Sequence, residues 1–257
     1  MLLSNCGEMN IVLAGFKLNY NHKHDLAAII ESQVLNVYRT ELINIGDTVL
    51  DLGAGIGDFA LLASEKVGPN GKAIAIEPSP DDYQCLLNNI KANNCENIHP
   101  INMAVADFEG VIDLEFKVKK FKSKCRSLPD ILKDVNYDKI DFVKMDIEDA
   151  EKNVIPQNIT IFRNIRYLSL EIQNGYQNQL IQFMYDLGFV FCRISKRKHL
   201  WNALRFTAKN LIKSYDLIKL LKKAGEYPGY KKIMDGIEIE GSDNLVVGTF
   251  TNRNVSN

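Results

Sequence analysis

Asp51-Leu52-Gly53-Ala54-Gly55-Ile56-Gly57 is the stretch on which the reading of this chain turns. It follows a short apolar run, Thr48 to Leu50, and precedes Asp58 to Lys66, which has the pattern of a helix. Glycines at alternate positions let the backbone bend sharply and let a ligand press against it. A glycine turn between a strand and a helix is the setting of a nucleotide-type site. A dinucleotide-binding turn spaces its glycines G-x-G-x-x-G. Counted from Gly53, the third glycine of that spacing would fall on Asp58, so the dinucleotide pattern fails.

The rest of the chain sets the bounds. Its 257 residues suffice for one α/β domain with a sizeable core, and 25% charged residues is ordinary for a soluble globular protein. No apolar run approaches the roughly 18 residues of a membrane span. Met1 to Gly7 is too short and too polar for a signal peptide, so a cytoplasmic protein is expected. The five cysteines (Cys6, Cys85, Cys95, Cys125, Cys192) are scattered and form no C-x-x-C pair, which argues against a disulfide framework or a zinc site. A net charge of −1 conceals an asymmetry, because Arg193 to Lys232 holds twelve Lys/Arg against Asp216 and Glu226.

Strand and helix patterns alternate along the chain. Met9 to Phe16 reads as one strand. Asp25 heads a helix carrying Leu26, Ile29, Ile30, Val34, Val37, Tyr38 and Leu42, ended by Gly46-Asp47. Strands are expected at Thr48–Leu50, Lys72–Ile76, Ile98–Asn102, Ile140–Met145, Arg166–Leu170, Phe189–Ile194 and Leu245–Phe250. Ser79 caps a helix with Pro80 at its first position and Asp82 in capping-box position, running to about Asn93. Ser127–Val135 and Gln179–Leu187 are further helices, and Gly188 ends the second. Asp107-Phe108-Glu109-Gly110 reads as a hairpin turn between Met103–Ala106 and Val111–Phe116. The alternation predicts a mainly parallel sheet covered on both faces, in one domain with one insertion. Residues 1–46 form a lead-in strand and helix, 47–194 and 244–252 the core, and 195–243 a basic helical insertion.

Ligands of open α/β sheets bind outside the carboxyl ends of the strands. Asp51, Glu77, Asp146 and Glu171 all fall at such ends. Buried ionised acids are costly without partners, so four of them together point to a site. Glu77 lies twenty residues beyond Gly57, where an acid accepts hydrogen bonds from ribose hydroxyls.

The acid-x-G-x-G-x-G turn resembles motif I of class I methyltransferases, which bind S-adenosylmethionine (SAM). That ligand has no phosphates, so the turn has to accommodate a methionine end and a ribose rather than an anion. Further stretches make the resemblance specific: Glu77-Pro78-Ser79-Pro80, Leu86 through Asn89, Asn93-Asn94, Ala104-Val105-Ala106-Asp107 with Gly110, and Ser127-Leu128. Lys144-Met145-Asp146-Ile147-Glu148-Asp149-Ala150-Glu151 is similar to the K-x-D-x-E-G-x-E signature of the FkbM methyltransferases, and Leu170-Glu171-Ile172 to their later L-E-x element. Glu31 and Tyr38 resemble the family's lead-in helix, and the similarity runs over roughly residues 31 to 192. Gly55 stands where the family usually has Asn, and Asp149 where it usually has Gly.

The resemblance implies a Rossmann-like class I methyltransferase fold with a mostly parallel seven-stranded sheet, and SAM as cofactor. Tyr38, Asp51, Gly53, Ala54, Gly55, Gly57, Glu77, Pro78, Asn102, Met103, Ala104 and Asp146 are then the expected cofactor-binding residues. Asp51 either orders the turn or meets the methionine ammonium; Asn102-Met103-Ala104 borders the adenine or simply packs. No metal is expected, although hard cations do take carboxylates.

Methyl transfer to a hydroxyl needs alignment and a group that accepts a proton. Asp146 and Glu171 are the leading candidates, with Glu148 third. Their competing duties are binding the donor's amino-acid portion (Asp146), holding a loop (Glu171) and capping the following helix (Glu148). His22, His24 and His199 read as solvated loop groups before they read as catalysts. No Asn-Pro-Pro-Tyr element, typical of methylation at amino groups of bases or glutamine, follows the fourth core strand, which favours an oxygen acceptor. The expected acceptor is a hydroxylated small molecule or glycan, with an anionic one open because of the basic insertion. That insertion, with Leu200, Trp201, Leu204, Ala208, Leu211, Ile212, Tyr215 and Ile218 at helical spacing, leaves the sheet on the ligand side. It reads first as a packed cap with a solvated basic side. Binding of an anionic acceptor, of RNA or of a membrane surface are its competing readings, and Lys117 to Arg126 would extend such a patch. A SAM-binding module without catalysis is the remaining alternative.

Overall fold

The computed structural model describes residues 9–22, 25–116, 119–137, 139–148, 150–173, 176–193, 201–203, 205–206 and 245–255. The chain opens with a hairpin, Met9–Leu13 (β1) and Phe16–Tyr20 (β2), rather than the single strand expected over Met9 to Phe16. The bend is at Ala14-Gly15, both at positive φ. Asp25–Ile29 (α1) follows, and its first residue folds back, its Oδ2 accepting from the backbone N–H groups of Asn21 and His22 at 2.9 Å. The long helix expected to Leu42 breaks up. A π-helical turn, Ile30–Leu35, ends at Asn36, which is left-handed at φ 51°, and a 3-10 turn follows at Thr40–Leu42. Asn36 stops the helix because asparagine tolerates that conformation and its Oδ1 accepts from the Thr40 N–H at 2.8 Å.

The core runs Thr48–Leu52 (β3), Asp58–Val67 (α2), Lys72–Ile76 (β4), Pro80–Asn93 (α3) and Ile98–Ile101 (β5). Ala104–Val105 (β6), Gly110–Phe116 (β7), Lys119–Arg126 (β8) and Leu128–Asp134 (α4) come next. Phe142–Met145 (β9), Glu151–Gln157 (α5), Ile159–Phe162 (α6), Tyr167–Gln173 (β10), Gln177–Asp186 (α7), Phe189–Arg193 (β11) and Leu245–Asn252 (β12) complete it. The main sheet has the order β11-β12-β10-β9-β3-β4-β5. Strand β12 is antiparallel to both its neighbours, and the other pairings are parallel. This is the Rossmann-like sheet with an antiparallel seventh strand. From β3 the chain moves outward through β4 and β5, then returns to β9 on the other side. Strand order thus reverses between β3 and β9, which opens a crevice at their carboxyl ends.

Alternate residues of the central strands feed separate cores. Val49, Ala73, Ala75 and Phe142 pack with α2 and the lead-in segment, whereas Leu50, Leu52, Ile74, Ile76, Val143 and Met145 pack with α4, α5 and α7. Strands buried on both faces read as unbroken apolar runs. Asp51 and Lys144 interrupt those runs, and they are direct cross-strand partners in the β3–β9 register.

The hairpin expected between Met103–Ala106 and Val111–Phe116 is also corrected. β7 pairs instead with β8, and β6 joins β8 in parallel, giving a separate three-stranded sheet. The lysines of β8 alternate with Phe121, Ser123 and Cys125, so what reads as a basic run is a strand with one solvated face.

Asn89 on α3 ties three elements together. Its Oδ1 accepts from the N–H and Nδ2 of Asn19, and its Nδ2 donates to the carbonyls of Asn19 and Ile56. It therefore fastens the first hairpin and the glycine turn to α3, in a fully buried position. Asn89→Ala strands these partners and should lower unfolding free energy by about 3 kcal/mol, summing losses of the usual size per unpaired buried group. Urea denaturation checks this, and a loss below about 1 kcal/mol would mean that the hairpin docks by its apolar contacts alone.

Candidate active site

Gly53, Gly55 and Gly57 have φ of 76°, 53° and 87°, the left-handed region open to glycine. A Cβ on Gly53 would run into the backbone carbonyl of Asp146, and one on Gly57 into the Leu86 side chain. Gly55 differs, since a Cβ there would meet nothing within 4 Å. It borders the cavity, and its φ is one that asparagine also adopts.

Glu77, one residue past β4, clamps this turn. Its Oε2 accepts from the Gly55 N–H and its Oε1 from the Ser79 N–H, each at 2.7 Å. Burial pushes its carboxyl up to about 7, helped by Asp82 and opposed by the N–H groups of Ser79 and Gly55 and by Lys144. The Asn102 amide donates to the carbonyls of Glu77 at 2.8 Å and Pro78 at 3.3 Å, so it fastens the loop behind that acid.

A cavity of about 380 Å³ lies on the turn. Gly53 to Ile56 form its floor, Glu77, Pro78, Met103 and Ala104 one wall, and Tyr38, Asp58, Asp146 and Glu148 the other. Ile112, Leu114 and Phe121, from the inner face of the β7–β8 hairpin, supply an apolar side that sequence reading missed. The signal was the alternation in Lys119–Arg126, hidden by its charge. Of the other expected cofactor residues, Asp51, Gly57 and Asn102 do not line the cavity: Asp51 is buried in β3, Gly57 closes the turn at the start of α2, and Asn102 lies behind Glu77.

Beneath the turn, Lys144 Nζ sits 3.1 Å from Asp51 Oδ1 and donates to the Gly53 carbonyl at 2.5 Å. Burial raises the Asp51 carboxyl to about 6, with Lys144 opposing and Asp58 and Asp146 adding. Burial disfavours the Lys144 ammonium, yet Asp51, Asp146 and Asp58 outweigh it and hold the lysine charged. Sequence reading placed Lys144 in the family signature without a role; the signal was a lysine inside an otherwise apolar strand.

The acids on the far wall form a group. Tyr38 donates from its hydroxyl to Asp146 Oδ2 at 3.2 Å, and burial, Asp146 and Glu171 keep that phenol protonated. Burial raises Glu171, and Asp146, Glu31 and Glu148 push it further. Burial, then Asp146 and Asp58, carries Glu31, which the resemblance placed in the lead-in helix, up to about 8. Glu148 does not cap α5; it has φ 52°, and Ala150 occupies the cap position. Glu151 braces the loop, its Oε1 accepting from the Ile147 N–H and its Oε2 from the Tyr176 hydroxyl at 2.9 Å.

Three of the five basic residues of β8 carry ion pairs among the described residues. Lys119 pairs with Asp81 at 2.8 Å, Lys120 with Glu115 at 3.5 Å, and Arg126 with Glu109 and Asp134. Lys122 is directly cross-strand from Asp113. Of the insertion, Trp201 to Ala203 and Arg205-Phe206 are helical; Asn202 Nδ2 donates to the Leu35 carbonyl at 2.9 Å, and Ala203 and Phe206 pack on the lead-in core. The remaining insertion residues, with Lys23, His24, Asp149 and His199, lie outside the described residues. Among the described residues, no helix is long and apolar enough to cross a membrane.

Sheet order, glycine turn and ribose-type acid together define the class I methyltransferase fold with a SAM site. The chain belongs to the Methyltransferase FkbM domain family, whose model matches residues 51–191. Among curated proteins it is similar to a Mus musculus tRNA (guanine(37)-N(1))-methyltransferase, 32% identical over 107 residues, covering 40% of this chain and 21% of that protein. It is also similar to the arsenite methyltransferase of Halobacterium salinarum, 40% identical over 53 residues, covering 21% of this chain and 14% of that protein. The chain thus spans about a fifth or less of the length of these relatives. Among solved structures, Aeropyrum pernix fibrillarin in complex with S-adenosyl-L-methionine superposes with a TM-score of 0.43 at 16% identity, over 75% of this chain and 76% of that one.

The residues present fit SAM. The turn is open over Gly55, the acid expected to meet the ribose, Glu77, lines the cavity, and an apolar wall suits an adenine. With Glu77 in its expected role of accepting from ribose hydroxyls when ionised, affinity for S-adenosylhomocysteine (SAH) should fall as pH drops through about 7. In Glu77→Gln that step should vanish and binding weaken by about 1–3 kcal/mol. Calorimetry from pH 8 to 6.5 reads both, and a persistent step would assign the titration elsewhere. Gly55→Asn should bind SAH within about threefold of the parent, whereas Gly53→Ala should bind at least about tenfold more weakly, since only the latter adds strain and a backbone clash.

Proposed function

We propose that this protein is a SAM-dependent methyltransferase acting on a hydroxyl of a small, uncharged molecule or glycan-type acceptor. The observation that carries this reading is an acid group: Asp146 and Glu148 line the cavity, Glu171 and Glu31 lie close enough to act on them electrostatically, and the nearby buried cation, Lys144, is already paired with Asp51. A cavity lined by Asp146 and Glu148 repels phosphate or carboxylate and suits a polyol, whose hydroxyls donate to carboxylates. This narrows the anionic acceptor left open by the basic insertion.

When bound, SAM supplies a methyl group on a sulfonium, whose C–S electron pair leaves on sulfur as a neutral thioether. The acceptor oxygen forms the new O–CH₃ bond, and its proton passes to a carboxylate of the wall. Asp146 is placed for that proton, since it lines the cavity and is oriented by the Tyr38 hydroxyl. Glu171 and Glu31, which burial holds protonated toward neutral pH, lie outside the cavity lining and act on the site through Asp146. Ile112, Leu114 and Phe121 exclude water from the transfer.

Methylation of RNA is the second reading, favoured by the likeness to tRNA methyltransferases and by the Lys/Arg-rich segment Arg193 to Lys232. The engaged lysines of β8 lend it little. Retention of a tRNA transcript that collapses between 50 and 200 mM salt would favour it over the polyol reading.

With a methylated polyol as readout, Asp146→Asn should lower kcat by about 100-fold or more, the usual worth of a positioned base. Glu171→Gln, isosteric with the protonated acid, should keep kcat within about tenfold of the parent. Wild-type turnover by Asp146→Asn would remove Asp146 as the proton acceptor.

A further inference from the structure

We propose that Lys144 is a positioning residue for the methyl donor: a buried cation that holds the glycine turn in register and supplies the counter-charge for Asp51. Lys144 donates to the Gly53 carbonyl at 2.5 Å and pairs with Asp51 at 3.1 Å, both side chains being almost wholly buried. The two residues are cross-strand partners on the central strands, so their spacing is set by the sheet rather than by flexible side chains. Stability does not explain the pair. A well-packed apolar pair of similar volume is often neutral or stabilising where a buried ion pair stands. What an apolar pair lacks is a donor for the Gly53 carbonyl and a fixed negative charge under the turn. Asp51 Oδ2 is fully buried and accepts no hydrogen bond among the described residues. It is a fixed charge beneath the turn and outside the cavity lining, which acts on the α-ammonium of the donor's methionine end through space rather than by contact.

The charges facing the pair come from every element packed around it. Asp58 stands on α2, Asp146 at the end of β9, Tyr38 and Glu31 on the lead-in segment, Glu171 on β10 and Glu77 beyond β4. Lys144 is the cation that opposes proton uptake by Asp51, Glu77, Glu31 and Glu171 alike. Without it, burial and the neighbouring acids act on Asp51 unopposed. Asp51, which titrates at about 6 with Lys144 in place, would then take up a proton within the range in which the donor binds. A neutral Asp51 offers the ammonium no charge, so affinity is lost below the new midpoint and returns above it.

This inference rests on SAM binding and not on the acceptor. Its test is SAH affinity by calorimetry between pH 7 and 9 for the full chain, Lys144→Met, and Lys144→Met with Asp51→Asn. Binding of SAH by the wild type is the control that separates failure of this inference from failure of the donor assignment. At pH 7 Lys144→Met should bind about tenfold more weakly, the effect of a rise of about two units in a group that must be ionised and that starts at about 6. The deficit relative to wild type should shrink as pH rises, and taking the ratio cancels the titration of the ligand's own amino group. In the double variant the deficit should be flat with pH, because no acid remains at position 51. Affinity of Lys144→Met within twofold of wild type would overturn the proposal. So would a pH-dependent deficit that survives in the double variant, since it would then belong to Glu77. Should Lys144→Met fail to fold, the double variant leaves no unpaired charge in the core and decides alone. A pH-independent loss of at least about tenfold sustains the proposal, and wild-type affinity refutes it.

Discussion

The carbonyl of Asp146 occupies the space where a side chain on residue 53 would have to be. Everything at the donor site depends on that close approach. Strands β3 and β9 run parallel and end together, and the backbone of one must leave as a tight left-handed turn while the other passes over it. Only glycine at residue 53 permits this. The approach is then secured by the Asp146 N–H donating to the Leu52 carbonyl at 3.0 Å and by Lys144 donating to the Gly53 carbonyl. Glu77 holds the next part of the turn through the Gly55 N–H, and Asn89 holds Ile56 from the other side. The turn is thus fixed from β4, β9 and α3 at once, which is how a loop becomes rigid enough to align a reacting group.

Much of this was legible in the sequence, for local reasons. Ser79-Pro80-Asp81-Asp82 carries its helix start in four residues, and the structure places the cap on Ser79, accepting from the Asp82 N–H. Lys72–Ile76 is bounded by glycine on one side and an acid on the other, and the strand has those limits. What failed had a non-local cause. The apolar spacing from Leu26 to Leu42 suits a continuous helix, but Asn36 and Arg39 are left-handed, which swings Tyr38 onto Asp146 across more than a hundred residues of sequence. No periodicity encodes that contact. β8 was obscured because its outer lysines dominate its composition, while the inner Phe121 reveals itself only once β7 is known to be its partner. Glu31 gave no signal because its chemistry comes from acids on β9, α2 and β10.

The site also shows why its charges cannot be read singly. Asp51, Asp58, Asp146, Glu31, Glu77 and Glu171 share one neighbourhood with a single buried lysine. Burial alone would neutralise most of them, since isolated buried carboxylates are costly. Lys144 is spent where it neutralises Asp51 in the sheet. The acids nearer the cavity are left with solvent, with each other and with whatever binds there. A sulfonium donor brings one positive charge into this surplus, and an acceptor rich in hydroxyl donors brings hydrogen bonds. An anionic acceptor brings neither, and at an effective dielectric of 20 a second negative charge about 5 Å from one carboxylate costs on the order of 3 kcal/mol. On the proposed function, therefore, selectivity between neutral and anionic acceptors is set at this wall, by acids that also order the donor site.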